Sequence, residues 1–126
     1  MYVVTKTEAN RIRDECVRSG WKVLRLPAGI SSKDEFFEGV RQTLPLDPPL
    51  ESNRSWDALA DSLWSGLDAL SDENILIVWP DASRMEALAA DEFAIANSIL
   101  AEIPDSLADR EATVGATKHL VVLQVH

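Results

Sequence analysis

A chain of 126 residues and 13.9 kDa, with 46 % hydrophobic and 26 % charged residues, can bury one apolar core and is too short for two full domains. Its single cysteine, Cys16, excludes a disulfide scaffold and any zinc site built from several thiolates, and it fits a reducing compartment. The net charge of −9 is unevenly placed: residues 1–42 hold eight Lys/Arg and six Asp/Glu, residues 43–126 four and fifteen. Binding to nucleic acid draws its affinity from clustered cations, so direct nucleic-acid binding is not expected, whereas an acidic surface suits a basic protein partner.

No basic start followed by an apolar stretch opens the chain, and no run approaches the ~20 apolar residues of a membrane span. A cytoplasmic protein without membrane contact is the expectation. Thr5 and Glu8 form a capping-box pattern, and Ala9, Ile12, Cys16 and Val17 recur at helical spacing, predicting a helix over 6–18 that Ser19-Gly20 ends. Cys16 reads as a small helix residue, because a reactive thiol needs a setting that stabilises its thiolate. Residues 21–26, Trp-Lys-Val-Leu-Arg-Leu, alternate as a strand does. Ser32 and Glu35 repeat the capping pattern ahead of Phe36, Phe37, Val40 and Leu44, predicting a second helix to about residue 43.

Three of the six prolines fall within 44–50, which is therefore a loop. Ser55 can cap a third helix over 55–70, in which Trp56, Leu59, Leu63, Leu67 and Leu70 form one apolar stripe. Ile75 to Trp79 is a continuous apolar run of strand length, as in a central strand covered on both faces. Pro80 to Ser83 close it and cap a short helical turn near Met85–Leu88. A further helix carries Phe93, Ala96, Ile99, Leu100 and Ile103, with Pro104 as its expected end. Residues 105–117 read as a loop with one helical turn, and Leu120–Val125 as a third strand. Strands separated by helices predict an α/β fold with a small three-stranded parallel sheet.

Nothing in the sequence supports catalysis or a cofactor. The five glycines never reach the spacing of a phosphate-cradling loop, no calcium-loop pattern or other metal site occurs, and His119 and His126 lack a nucleophile in a recognisable setting. The informative stretch is Ser55-Trp56-Asp57-Ala58-Leu59-Ala60-Asp61-Ser62-Leu63-Trp64. Asp57 and Asp61 are four apart and share one side of the helix, opposite Trp56, Leu59 and Leu63, and Trp64 and Asp68 are expected to continue the outward row. Like charges at this spacing cost some tenths of a kcal/mol; the helix dipole compensates Asp57 in the first turn more than Asp61. A solvated acidic face and a carboxylate comb for a partner's Arg or Lys are the competing readings. A carboxylate hydrolase using Asp57, Asp61 and Glu102 would instead need a concave pocket and a raised pKa.

Trp56-Asp57-Ala58-Leu59 with Asp61 and Leu63, and the Ile77-Val78-Trp79 strand end behind them, resemble the inhibitor helix of the barstar family, intracellular inhibitors of the secreted ribonuclease barnase. The order of elements from residue 21 onward is also similar. The resemblance implies a three-layer barstar-like domain over 21–126, a helical extension over 1–20, and a monomer that is no enzyme and needs no cofactor. It further implies that Asp57 and Asp61 enter a basic ribonuclease's active site in place of substrate phosphates, with Ser55, Asn53, Trp64, Gly66 and Glu102 as further partner contacts. Charge-steered association of this kind has the barnase–barstar pair as its reference system. The chain departs from the family pattern at Glu51-Ser52 and Ser55, where paired tyrosines and an Asn are usual. Ala60 replaces an aromatic, and Trp64 with Gly66 only roughly matches a Gly-aromatic pair. These departures leave open a different nuclease toxin as partner, an immunity or interaction role, or a barstar fold without inhibition.

Overall fold

The computed structural model describes residues 1–126 and contains four strands where the sequence predicts three. In chain order the elements are β1 (Tyr2–Val4), α1 (Lys6–Arg18), β2 (Lys22–Arg25), α2 (Lys33–Thr43), α3 (Trp56–Asp68), β3 (Asn74–Trp79), α4 (Ala82–Leu88), α5 (Ala90–Leu107) and β4 (His119–Val125). The sheet order is β1-β4-β3-β2, with every pairing parallel. The added strand is too short to show a period of its own; it forms because Tyr2, Val3 and Val4 lie opposite Leu123, Gln124 and Val125. Residues 1–20 thus supply a sheet edge as well as a helix.

Successive strand residues point to opposite faces, so β3 divides its apolar run between two cores. Ile75, Ile77 and Trp79 join a cluster of 21 buried residues beneath α2–α5. Leu76 and Val78 join Ala9, Leu123 and Val125 beneath α1, with Ile12 and Cys16 packed alongside. Three layers result: α1, the sheet, and α2–α5. The chain first crosses from β1 at one edge to β2 at the other, then steps back through β3 and β4. Right-handed crossovers that reverse direction must change face, which puts α1 on the side opposite the other helices.

The capping box of α1 is complete, with Thr5 and Glu8 each accepting the other's backbone N–H at 3.1 and 3.3 Å. That of α2 is half formed: Ser32 accepts from the Glu35 N–H, but the Glu35 carboxylate turns to the Ser31 N–H and hydroxyl. Asp81 precedes α4 without a side-chain cap, held at a left-handed φ of 54°. The predicted end of α5 at Pro104 is corrected, since the helix runs on to Leu107. An interior proline costs roughly 3 kcal/mol. Continuing the helix buries Leu107 completely and seats Ser106 under the Trp64 indole. Burial of one leucine returns roughly 1.5–3 kcal/mol and the hydrogen bond about 1, which offsets that cost. No helix is long and apolar enough to cross a membrane.

Candidate functional site

Both ends of α3 are fastened. At its start the Ser55 hydroxyl accepts the Ala58 N–H at 3.0 Å. The Trp56 ring packs edge-on to Phe37 of α2 at 5.0 Å, and the Lys33 ammonium lies 5.7 Å from the Trp56 ring centre. At its end the buried Lys118 ammonium donates to the carbonyls of Leu70 and Asp72, the latter at 2.9 Å, placing a cation where the helix dipole is negative. Between these anchors Leu59, Ser62, Leu63, Gly66 and Leu67 are buried. The helix is a fixed ridge whose outer side is free.

On that outer side Asp57 and Asp61 are both exposed. The protein's ion pairs are Arg11–Glu15, Arg13–Asp14 and Arg41–Glu38, so neither aspartate has a cation of its own. The two like charges stand one turn apart with no internal compensation beyond the dipole at Asp57. The outward row, expected to continue through Trp64 and Asp68, stops at Asp61. Trp64 leans half-buried toward α5, its indole N–H donating to the Ser106 hydroxyl at 2.9 Å, and Asp68 is half-buried with one carboxylate oxygen enclosed.

The loop before α3 is drawn tightly against it. The Asp47 N–H donates to the Ser62 carbonyl at 3.0 Å, and the Ser62 hydroxyl donates to the Pro48 carbonyl. Gly66 is needed here, because a Cβ at that position would overlap the Pro45 carbonyl. Its expected place among the surface contacts is corrected accordingly: Gly66 is buried and lets the loop approach the helix. Asn53 is likewise occupied, its amide donating to Asp34 at 3.0 Å. Arg41 holds the loop through the Leu50 carbonyl at 3.0 Å, and Lys33 through that of Arg54 at 3.3 Å. Ser55 is exposed, but its hydroxyl serves as the cap.

The fold brings Glu102 of α5 to the site. Asp61, Trp64 and Glu102 line a groove of about 330 Å³ between α3 and α5, with Ala60, Ile99 and Ile103 as apolar wall. A second groove of about 560 Å³, between α3 and the loop, is lined by Asp61, Pro49, Glu51 and Ser52. Asp61 therefore stands on the ridge between two grooves, with a carboxylate across each. Sequence reasoning missed Ile99, Ser106 and the role of Glu51, because no spacing rule links α5 or the proline loop to α3. Chemically the arrangement offers four exposed carboxylates, Asp57, Asp61, Glu51 and Glu102, to long cationic side chains, with apolar walls for their stems.

The family model described as Barstar (barnase inhibitor) matches residues 21–117, which includes β2 through α5 and all of the acidic ridge. No match was found among curated proteins or among solved structures. That description is of an inhibitor rather than an enzyme. The matched span, more than three quarters of the chain, and the helix order around α3 agree: this protein belongs to the barstar (barnase inhibitor) family.

Proposed function

We propose that this protein inhibits a basic ribonuclease by laying the outer side of α3 across its catalytic cleft, with Asp57 and Asp61 in place of RNA phosphates. The observation that carries the reading is that both carboxylates are exposed on one fastened helix and unpaired by any cation of the chain. A charge left uncompensated in the free protein gains most from an incoming Arg or Lys, and the rigid backbone limits the ordering cost of binding. The protein acts as a monomer in the cytoplasm, where its lone thiol stays reduced.

The test is inhibition of a purified barnase-class ribonuclease in an RNA-cleavage assay, with the same complex followed by binding kinetics. Asp61→Ala is expected to weaken binding by more than about 2 kcal/mol, roughly 30-fold, without loss of fold. Asp57→Ala should weaken it less, since that residue sits nearer the helix start. Raising ionic strength should slow association more than it speeds dissociation. A complex indifferent to both substitutions and to salt would rule the reading out.

A second reading, immunity to a different nuclease toxin, is favoured by Ala60 and Glu51. The family's aromatic contact area is lost at position 60, and an acid replaces apolar surface at position 51 beside the second groove. Tight binding to a nuclease with additional surface cations, alongside failure to inhibit the barnase type, would select this version.

A further inference from the structure

We propose that the α1 side of the sheet carries a separate anion site: a crevice at the carboxyl ends of the strands that takes the phosphate group of a small phosphorylated ligand. The connection leaving β1 turns to one face as α1, whereas those leaving β2 and β3 turn to the other as α2 and α4. Between them lies β4, which ends at Val125. Open parallel sheets bind ligands in the crevice left where outgoing connections part to opposite faces. In this protein that crevice has a volume of about 190 Å³.

Its lining is basic in a chain of net charge −9. Lys6 and Arg13 reach it from α1 and Arg25 from the end of β2, against one carboxylate, Asp81. Arg25 is paired in register with Val78, which belongs to the α1-side core, so its side chain lies on that face. Neither Lys6 nor Arg25 forms an ion pair. Arg13 gives Nε and one terminal nitrogen to Asp14, at 3.2 and 3.0 Å, leaving its other terminal nitrogen. Asp81 stands at the rim at φ 54°, a left-handed conformation that aspartate adopts more readily than most residues. The free guanidinium fork of Arg25, the remaining terminal nitrogen of Arg13 and the Lys6 ammonium are donors of the kind that recognise phosphate. The volume is below the roughly 300 Å³ at which sites for whole drug-sized molecules begin, so the crevice takes the phosphate and leaves the rest of the ligand outside.

The site lies across the sheet from α3, and Lys6 and Arg13 precede the family-matched span, so it stands independently of the inhibitor reading. Calorimetric titration with inorganic phosphate and pyrophosphate, at ionic strength held constant with sodium chloride, tests it. Saturable one-to-one binding is expected for the unaltered protein, weakened at least tenfold by Arg25→Gln or by Lys6→Gln. Lys22→Gln, on the same strand but facing the other core, and Asp61→Ala should both bind within twofold of the unaltered protein. Absence of saturable binding by either anion overturns the proposal. So does binding that survives both crevice substitutions, or that falls equally with Lys22→Gln, since that pattern reports general charge alone.

Discussion

The two faces of the sheet are built to different standards. Beneath α2–α5 lie 21 buried residues, with Trp79 at the centre of an aromatic group formed by Phe36 at 5.3 Å and Phe93 at 5.4 Å. Beneath α1 lie five. The thick side holds the acidic ridge and the thin side the basic crevice, so the charge asymmetry of the sequence becomes an asymmetry between faces. Burial per residue differs enough that stability should reside mainly on the side that positions α3, leaving the α1 side able to vary at lower cost.

Substitutions on the two sides test that contrast. Trp79→Ala, at a fully buried position, should cost about 3–5 kcal/mol in chemical denaturation. Gly66→Ala should cost about 1–3 kcal/mol through overlap with the Pro45 carbonyl, although alanine is favoured over glycine within a helix. It should also displace the loop beside Asp61, and thereby weaken partner binding. On the thin side Ile12→Ala, at a half-buried position, should cost only about 1–2 kcal/mol. A loss matching that of Trp79→Ala would show that the two faces share stability equally. The smallest effect concerns Cys16, whose thiol is pushed up by burial and then by neighbouring Glu15. With a raised folded-state value, any stability it contributes is present below the unfolded value and fades as pH rises through the folded one. Thiol labelling of the native protein should therefore lag that of the unfolded chain near pH 8 and catch up at higher pH.

Much of the site was legible because it is local. Ser55 caps, Leu59 and Leu63 turn inward, and Asp57 and Asp61 turn outward, all as a helical repeat of 3.6 demands. The row failed at Trp64, where the indole found Ser106 across a separation of 42 residues. Gly66 was mistaken for a contact because its reason, the nearness of the Pro45 carbonyl, belongs to the path of the loop. Glu102 enters the sequence reading only through family likeness, as a partner contact; that it lines the same groove as Asp61 follows from no pattern within α5.

Periodicity, caps and breakers act over a few residues, so the chain alone determined five helical segments, the β2, β3 and β4 strands, the outward aspartate pair and the uneven charge. Packing decided the remainder. A three-residue strand has no stability until β4 lies beside it, and a helix continues past a proline only when Leu107 gains a core and Ser106 a partner. The placing of α1 opposite the other helices, and with it the basic crevice, came from the order in which strands join the sheet. Such interactions reward contacts between distant residues, and no local window of sequence contains their energy.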